Sequence, residues 1–169
     1  MRYAFIFALT TLVASLAYAD ENCTAEKKLG VCADELVKER VEWACKELES
    51  KGKDAFISVN KMRYECCGEP NYVWIQDAGD AKANHIMMLM HPIKTQLSNT
   101  DVTHVKDPDN KELFVEFAKA VKKTPSGAWV TYKWTKFGET AATPKKSWVK
   151  QCKVANSKDS LIAGSGTWQ

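Results

Sequence analysis

Partway along the chain the spacing of apolar residues changes period, and that change limits the folds available to it. Before it, Leu29, Ala33, Leu36, Val37, Val41, Ala44 and Leu48 recur at helical steps, with Glu35, Lys38, Glu39, Glu42 and Lys46 between them. This is the pattern of a long amphipathic helix, which should stop at Ser50 or Lys51, just before Gly52. A second, short helix is expected over 53–59 and a turn over 65–71. From Tyr72 the period falls to two. YVWIQD and ANHIMMLM read as strands around a DAGD turn, the second ending at His91-Pro92 because proline cannot donate to a ladder. Asp107 to Asn110 form another turn, after irregular residues from 99 onward. Leu113, Phe114, Phe117, Ala118 and Val121 restore helical spacing over 111–122, and strands follow over 128–135, 147–155 and 160–167. A helix, two strands, a helical crossover and three strands predict an α+β domain. Its sheet should be antiparallel and five- or six-stranded, with the long N-terminal helix along one face.

The first residues are expected to lie outside that domain. MRYAFIFALTTLVASLAYA carries one cation, Arg2, then an apolar run ending in Ala17-Tyr18-Ala19, the small-x-small pattern of signal cleavage. Residues 1–19 are therefore expected to be a secretory signal, 20–28 an N-terminal segment and 29–169 a single domain. No later run is long enough to span a bilayer. Lys and Arg number 24 against 21 Asp and Glu, a balance too even to predict a nucleic-acid or lipid surface. Cys23, Cys32, Cys45, Cys66, Cys67 and Cys152 all follow the signal, and an even set in an exported chain predicts disulfides. Cys32 and Cys45 on one helix would stand about 20 Å apart, beyond bridging distance. Adjacent Cys66 and Cys67 are expected to reach separate partners. Their turn follows the helical region closely, which suggests a bridge to Cys45 and leaves Cys152 to the N-terminal segment.

The residue types argue for binding rather than catalysis. There is no Gly-x-Ser-x-Gly elbow, His-Glu-x-x-His or phosphate loop. Gly164 and Gly166 sit in a strand, where they permit close backbone approach. His85, His91 and His104 have no metal-ligand spacing, so neither a metal nor another cofactor is expected. The richest segment is WVTYKWTKFGETAATPKKSWVKQ, 129–151. On an extended chain Val130, Tyr132 and Trp134 share one face, and Lys146, Trp148 and Lys150 share one face of the next strand. Rings with a lysine among them can enclose an anion, although large rings in a domain this size also fill cores.

Taken in order, GKDAFISVNK, YVWIQDAGD, MHP, DVTHVKDPDNKELFVEFAKAV, GAWVTYKW, PKKSWVKQ and IAGSGTW resemble the single Cache domains of bacterial extracytoplasmic sensors. The resemblance runs from Leu29 to Trp168 and implies a PAS-like sheet with a pocket between it and the crossover. It implies a small organic acid or related metabolite as ligand, without catalysis. His91 matches the family's His-Pro motif, Tyr132 and Trp134 its Tyr-x-Trp strand, and Lys145 or Lys146 the lysine before its Ser-aromatic-Val segment. Lys146 is preferred because it shares a face with Trp148. Lysine would approach the carboxylate, Tyr132 would donate a bond, Trp134 and Trp148 would enclose the carbon skeleton, and His91 would make the site adjustable by protonation.

The sequence also departs from that pattern. Trp148 stands where the family usually has Tyr, and Phe137 where it usually has Pro. Without the family's usual membrane helices and signalling output, a freestanding periplasmic form is expected, a solute receptor or adaptor for a membrane-bound receptor or sensor kinase. The competing expectation is a disulfide-stabilised cell-envelope interaction protein whose degenerate Cache pocket is filled by its own side chains.

Overall fold

The computed structural model describes residues 29–79 and 85–169. The expected signal, the 20–28 segment and Cys23 lie outside the described residues, as does part of the expected 83–90 strand. Helix α1 spans Asp34–Lys51, with Asp34 and Glu35 in its first turn, and Val37, Val41, Ala44, Cys45 and Leu48 form its buried stripe. Acids there oppose the positive end of the helix dipole. Gly52 ends the helix at φ 61°, a conformation that glycine adopts without steric cost. A single 3₁₀ turn leads into α2, Ala55–Lys61. The expected turn over 65–71 is itself a small ribbon, β1 (Tyr64–Cys66) against β2 (Glu69–Asn71). Cys67 and Gly68, both at positive φ, make its two-residue corner.

The main sheet contains β3 (Trp74–Asp77), β4 (Met87–Met90), β5 (Thr100–Asp101), β6 (Ala128–Thr135), β7 (Ala142–Lys153) and β8 (Ser160–Trp168). Every pairing is antiparallel, in the order β5-β4-β3-β8-β7-β6. Helix α3, Leu113–Lys123, is the crossover between β5 and β6. β7 begins earlier than the alternation suggested: Ala142, Thr143 and Pro144 pair with Thr135, Trp134 and Lys133. β5 is a two-residue strand inside the stretch expected to be irregular, and it pairs with Met87 and Met88.

The sheet separates two cores. On one face Val41, Ala44 and Leu48 of α1 meet Val73, Ile75, Leu161 and Ala163. On the other, Leu113, Phe114 and Phe117 of α3 meet Trp74, Met88, Tyr132 and Ile162. The disulfides depart from the expected pairing. Cys45 bridges Cys152, fastening α1 to β7, and Cys32 bridges Cys66. Both Cys45 and Cys152 lie on the α1 side of the sheet, whereas the Cys66–Cys67 corner belongs to the β1–β2 ribbon beside the segment before α1. Closeness in sequence misled here because the ribbon turns back on residues 30–32: the Gly30 amide donates to the Cys66 carbonyl at 3.0 Å. Cys67 is disulfide-bonded as well.

Candidate functional site

Cross-strand register decides which side chains meet. Tyr132 lies opposite Lys145, and Lys145 opposite Trp168, so these three form one row across β6, β7 and β8. Directly opposed residues share a face, which here is the α3 face. Thr131 opposes Lys146 and Trp129 opposes Trp148; both of those β7 residues point to the α1 face. There the Lys146 ammonium meets Asp34 at 2.8 Å. Trp148 packs against Trp129 at 5.5 Å between centroids, with Lys38 over its ring at 5.2 Å. The preference for Lys146 and Trp148 as partners of Tyr132 is therefore corrected: they fasten α1 to the sheet, and Lys145 shares the face with Tyr132 and Trp134. The lysine pair was visible in sequence, but the register that separates its two faces was not.

Tyr72, Trp74, His91, Leu113, Phe114, Phe117, Tyr132 and Trp134 surround a cavity of about 10 Å³, space for roughly one water. The rings meet edge to face, Phe117 with Tyr132 at 5.3 Å and Phe114 with Trp134 at 6.2 Å. The Tyr132 hydroxyl is bonded to the Ser147 hydroxyl at 2.8 Å, and burial pushes the phenol far above its ordinary pKa. Burial raises that of Tyr72 too, against the hydrogen bond it shares with Trp134.

Beside this cavity Lys145 is fully buried, with 2 % of its surface exposed. Its ammonium sits 4.4 Å from the Trp168 ring centroid and 5.2 Å from that of Tyr72. Ring faces attract a cation, but among the described residues no carboxylate forms an ion pair with it. Burial, and then the nearby Lys94, bring its pKa down to about 7. Two glycines make the room. A Cβ on Gly166 would strike the Lys145 stem and the Ser147 hydroxyl, and one on Gly164 would enter the Trp74 ring. The Gly-Ser-Gly alternation thus leaves the pocket face of β8 flat beneath two large side chains.

His91 is 3 % exposed. Its Nδ1 accepts from the backbone amides of Lys94 at 3.0 Å and Ile93 at 3.3 Å. With Nδ1 an acceptor, the neutral ring carries its proton on Nε2, which is thereby a donor. Burial first, then Lys145 and Lys94, lower its pKa to about 3. The expectation that His91 adjusts the site by protonation is corrected accordingly: near neutral pH it is a fixed neutral donor. The turn that follows brings Lys94 over the Trp134 ring at 4.5 Å, with its ammonium donating to Thr135 Oγ1 at 2.5 Å.

The structure thus gathers His91, Tyr132, Trp134 and Lys145 and sets Lys146 and Trp148 apart. Residues the sequence reading did not assign to the site are Tyr72, Trp74, Lys94 and Trp168. Tyr72 and Trp74 carried a signal, two rings at alternate positions of a strand. Trp168 is in phase with Gly164 and Gly166. Lys94 lies in a turn without periodicity. Among the described residues no group of three or more His, Cys, Asp and Glu is placed to hold a metal, and no helix is long and apolar enough to cross a membrane.

Comparison with known proteins agrees with this architecture. The chain is 29% identical over 120 residues to the methyl-accepting chemotaxis protein McpP of Pseudomonas putida, covering 71% of this chain and 20% of that protein. It therefore spans about a fifth of that relative's length. A solved periplasmic sensor domain of a chemotaxis protein superposes with a TM-score of 0.65 at 28% identity, over 79% of this chain and 93% of that one. A Cache chemosensory domain solved for the basis of its carboxylic acid recognition gives 0.63 at 26% identity, over 79% and 91%. The family model for single Cache domain 2 matches residues 34–156, from the start of α1 to just beyond β7, and the chain belongs to that family of sensor domains.

Proposed function

We propose that this domain binds a small carboxylate on the extracytoplasmic side of a membrane, in the pocket between the sheet and α3. The observation that carries the reading is Lys145, a fully buried cation without a carboxylate partner among the described residues, beside a neutral histidine donor. A buried charge is tolerated when an opposite charge and hydrogen bonds meet it. An incoming carboxylate would supply both, and it would accept from the Lys145 ammonium and from His91 Nε2. Tyr72, Tyr132, Trp74 and Trp134 would enclose its carbon skeleton, with Tyr132 able to turn its hydroxyl from Ser147 toward the ligand. The carboxylic acid recognition described for one structural relative supports the ligand class. The chemotaxis-receptor relative supports a membrane-embedded receptor or kinase as the partner that receives the signal.

The cavity of about 10 Å³ favours a second reading, in which the rings fill the pocket and the domain serves as a cell-envelope interaction module. In the binding reading the same cavity must widen as the ligand enters. A thermal-shift screen at pH 6 with acetate, propionate, pyruvate, succinate and amino acids separates them. Selective stabilisation by carboxylates supports binding through mass action, and a flat response across the panel supports the filled pocket.

A further inference from the structure

We infer that carboxylate capture in this pocket is proton-linked, the ligand binding together with a proton taken up from solvent onto the Lys145 side chain. The inference rests on the carboxylate-binding reading and adds a dependence on external pH to it.

The group free to vary is a buried amine with no carboxylate paired to it among the described residues. Lys145 is enclosed by Trp168 and Tyr72, and its stem is pinned over Gly166. Among the described residues, the groups closest to it are cationic or neutral. The segment after β4 brings His91 and Lys94, and the segment after α2 brings Arg63, which donates to the Pro92 carbonyl at 3.4 Å. Tyr72 precedes β3 and Tyr132 comes from β6; burial keeps both phenols protonated. β8 contributes Trp168. One acid, Glu69, is engaged by Lys136 at 3.8 Å, and the Lys136 ammonium lies 5.4 Å from the Trp168 ring centroid. Against loss of the lysine's proton this set offers only the ring faces of Trp168 and Tyr72, which attract a cation. Desolvation and neighbouring cations both favour the neutral amine, and burial with Lys94 brings the group down to about 7.

A carboxylate reverses that balance, because an adjacent anion favours the ammonium. Above neutral pH the free protein therefore holds a neutral amine, and the complex holds an ammonium–carboxylate pair. One proton moves from solvent to nitrogen for each ligand bound, and no covalent bond is made or broken. Below neutral pH the ammonium is already present, and binding moves no proton. Affinity is then level in acid and falls about tenfold per pH unit above neutrality, until the pKa of the complex is reached. In the free protein His91 is neutral across this range, since its titration lies near 3.

The test is calorimetric titration of the wild-type protein with acetate, propionate, pyruvate and succinate at pH 6, 7, 8 and 9. Two cationic buffers of different ionisation enthalpy allow protons to be counted. Expected are close to one proton taken up per ligand at pH 8–9, almost none at pH 6, and affinity weakening about tenfold per unit above pH 7. Binding of equal strength at pH 6 and pH 9 without proton uptake overturns the inference and leaves carboxylate binding standing. Failure of all four acids at pH 6 overturns both. NMR of ¹³C-labelled lysine in the unliganded wild type assigns the proton without relying on a variant. A lysine signal titrating near neutrality and moving to higher pH with ligand supports the inference, and lysines that all titrate above pH 9 overturn it.

Discussion

At the scale of single residues, one step along β7 separates two different kinds of lysine. Lys146 is partly exposed and paired with Asp34, an arrangement worth about 0–1 kcal/mol. Lys145 is buried against ring faces without an acid among the described residues. In the unfolded chain it titrates near 10.5, and in the fold near 7. Between those values the unfolded state binds more protons, so stability rises with pH across the window, and below 7 the full cost of the buried charge is present. Lys145→Met should therefore raise the unfolding free energy from urea denaturation at pH 6, by an amount of the order of a few kcal/mol, and raise it less at pH 9. The same variant should lose the carboxylate response. Lys146→Met should shift stability by less than about 1 kcal/mol and leave the ligand response intact. The two lysines look alike in sequence because alternation places consecutive residues on opposite faces without saying which face is the pocket. That is settled by the pairing of Tyr132 with Lys145 across the hairpin.

At the scale of elements, the sequence was most legible where periodicity and burial coincide. The α1 stripe and the α3 stripe were both read from spacing, since each helix lays one apolar face on the sheet. β8 was legible as a strand, but its role in the site was not, because the space a glycine leaves is defined by neighbours on other strands. Gly166→Ala should displace the Lys145 stem and cost about 1–3 kcal/mol, as overpacking does; chemical denaturation measures the loss, and the carboxylate thermal shift should weaken. Disulfide pairing was the least legible feature, since it depends on how the β1–β2 ribbon and β7 lie against α1. The Cys45–Cys152 bridge closes a loop with a sequence separation of 107. Replacing both cysteines with alanine should lower unfolding free energy by about 2–5 kcal/mol, read from denaturant unfolding with the m-value determined for each protein.

For the molecule as a whole, helix, strands, crossover and strands in that order admitted few alternatives to one antiparallel sheet with helices against it, and the structure sets α1 and α3 on opposite faces. The two faces then take different work. The α1 face is closed by aliphatic packing, ion pairs and a disulfide, whereas the α3 face keeps tyrosines, tryptophans, a histidine and a lysine beside a small cavity. Buried basic groups on that second face give the domain its pH behaviour. His91 titrates near 6.5 when unfolded and near 3 when folded, so the unfolded state binds more protons between those values and stability falls on acidification through them. Together with Lys145, this predicts a urea midpoint lowest at pH 4, higher at pH 7 and highest at pH 9. In Lys145→Met the rise from pH 7 to pH 9 should be largely lost. On the binding reading, the α3-side pocket opens around a carboxylate held by Lys145. A crystal structure of the protein with the carboxylate that most stabilises it tests this directly. Expected are carboxylate oxygens within hydrogen-bond distance of Lys145 Nζ and His91 Nε2, with the surrounding rings moved outward. A ligand bound on the α1 face beside Lys146 and Trp148, or a pocket still closed at a saturating concentration, would contradict it.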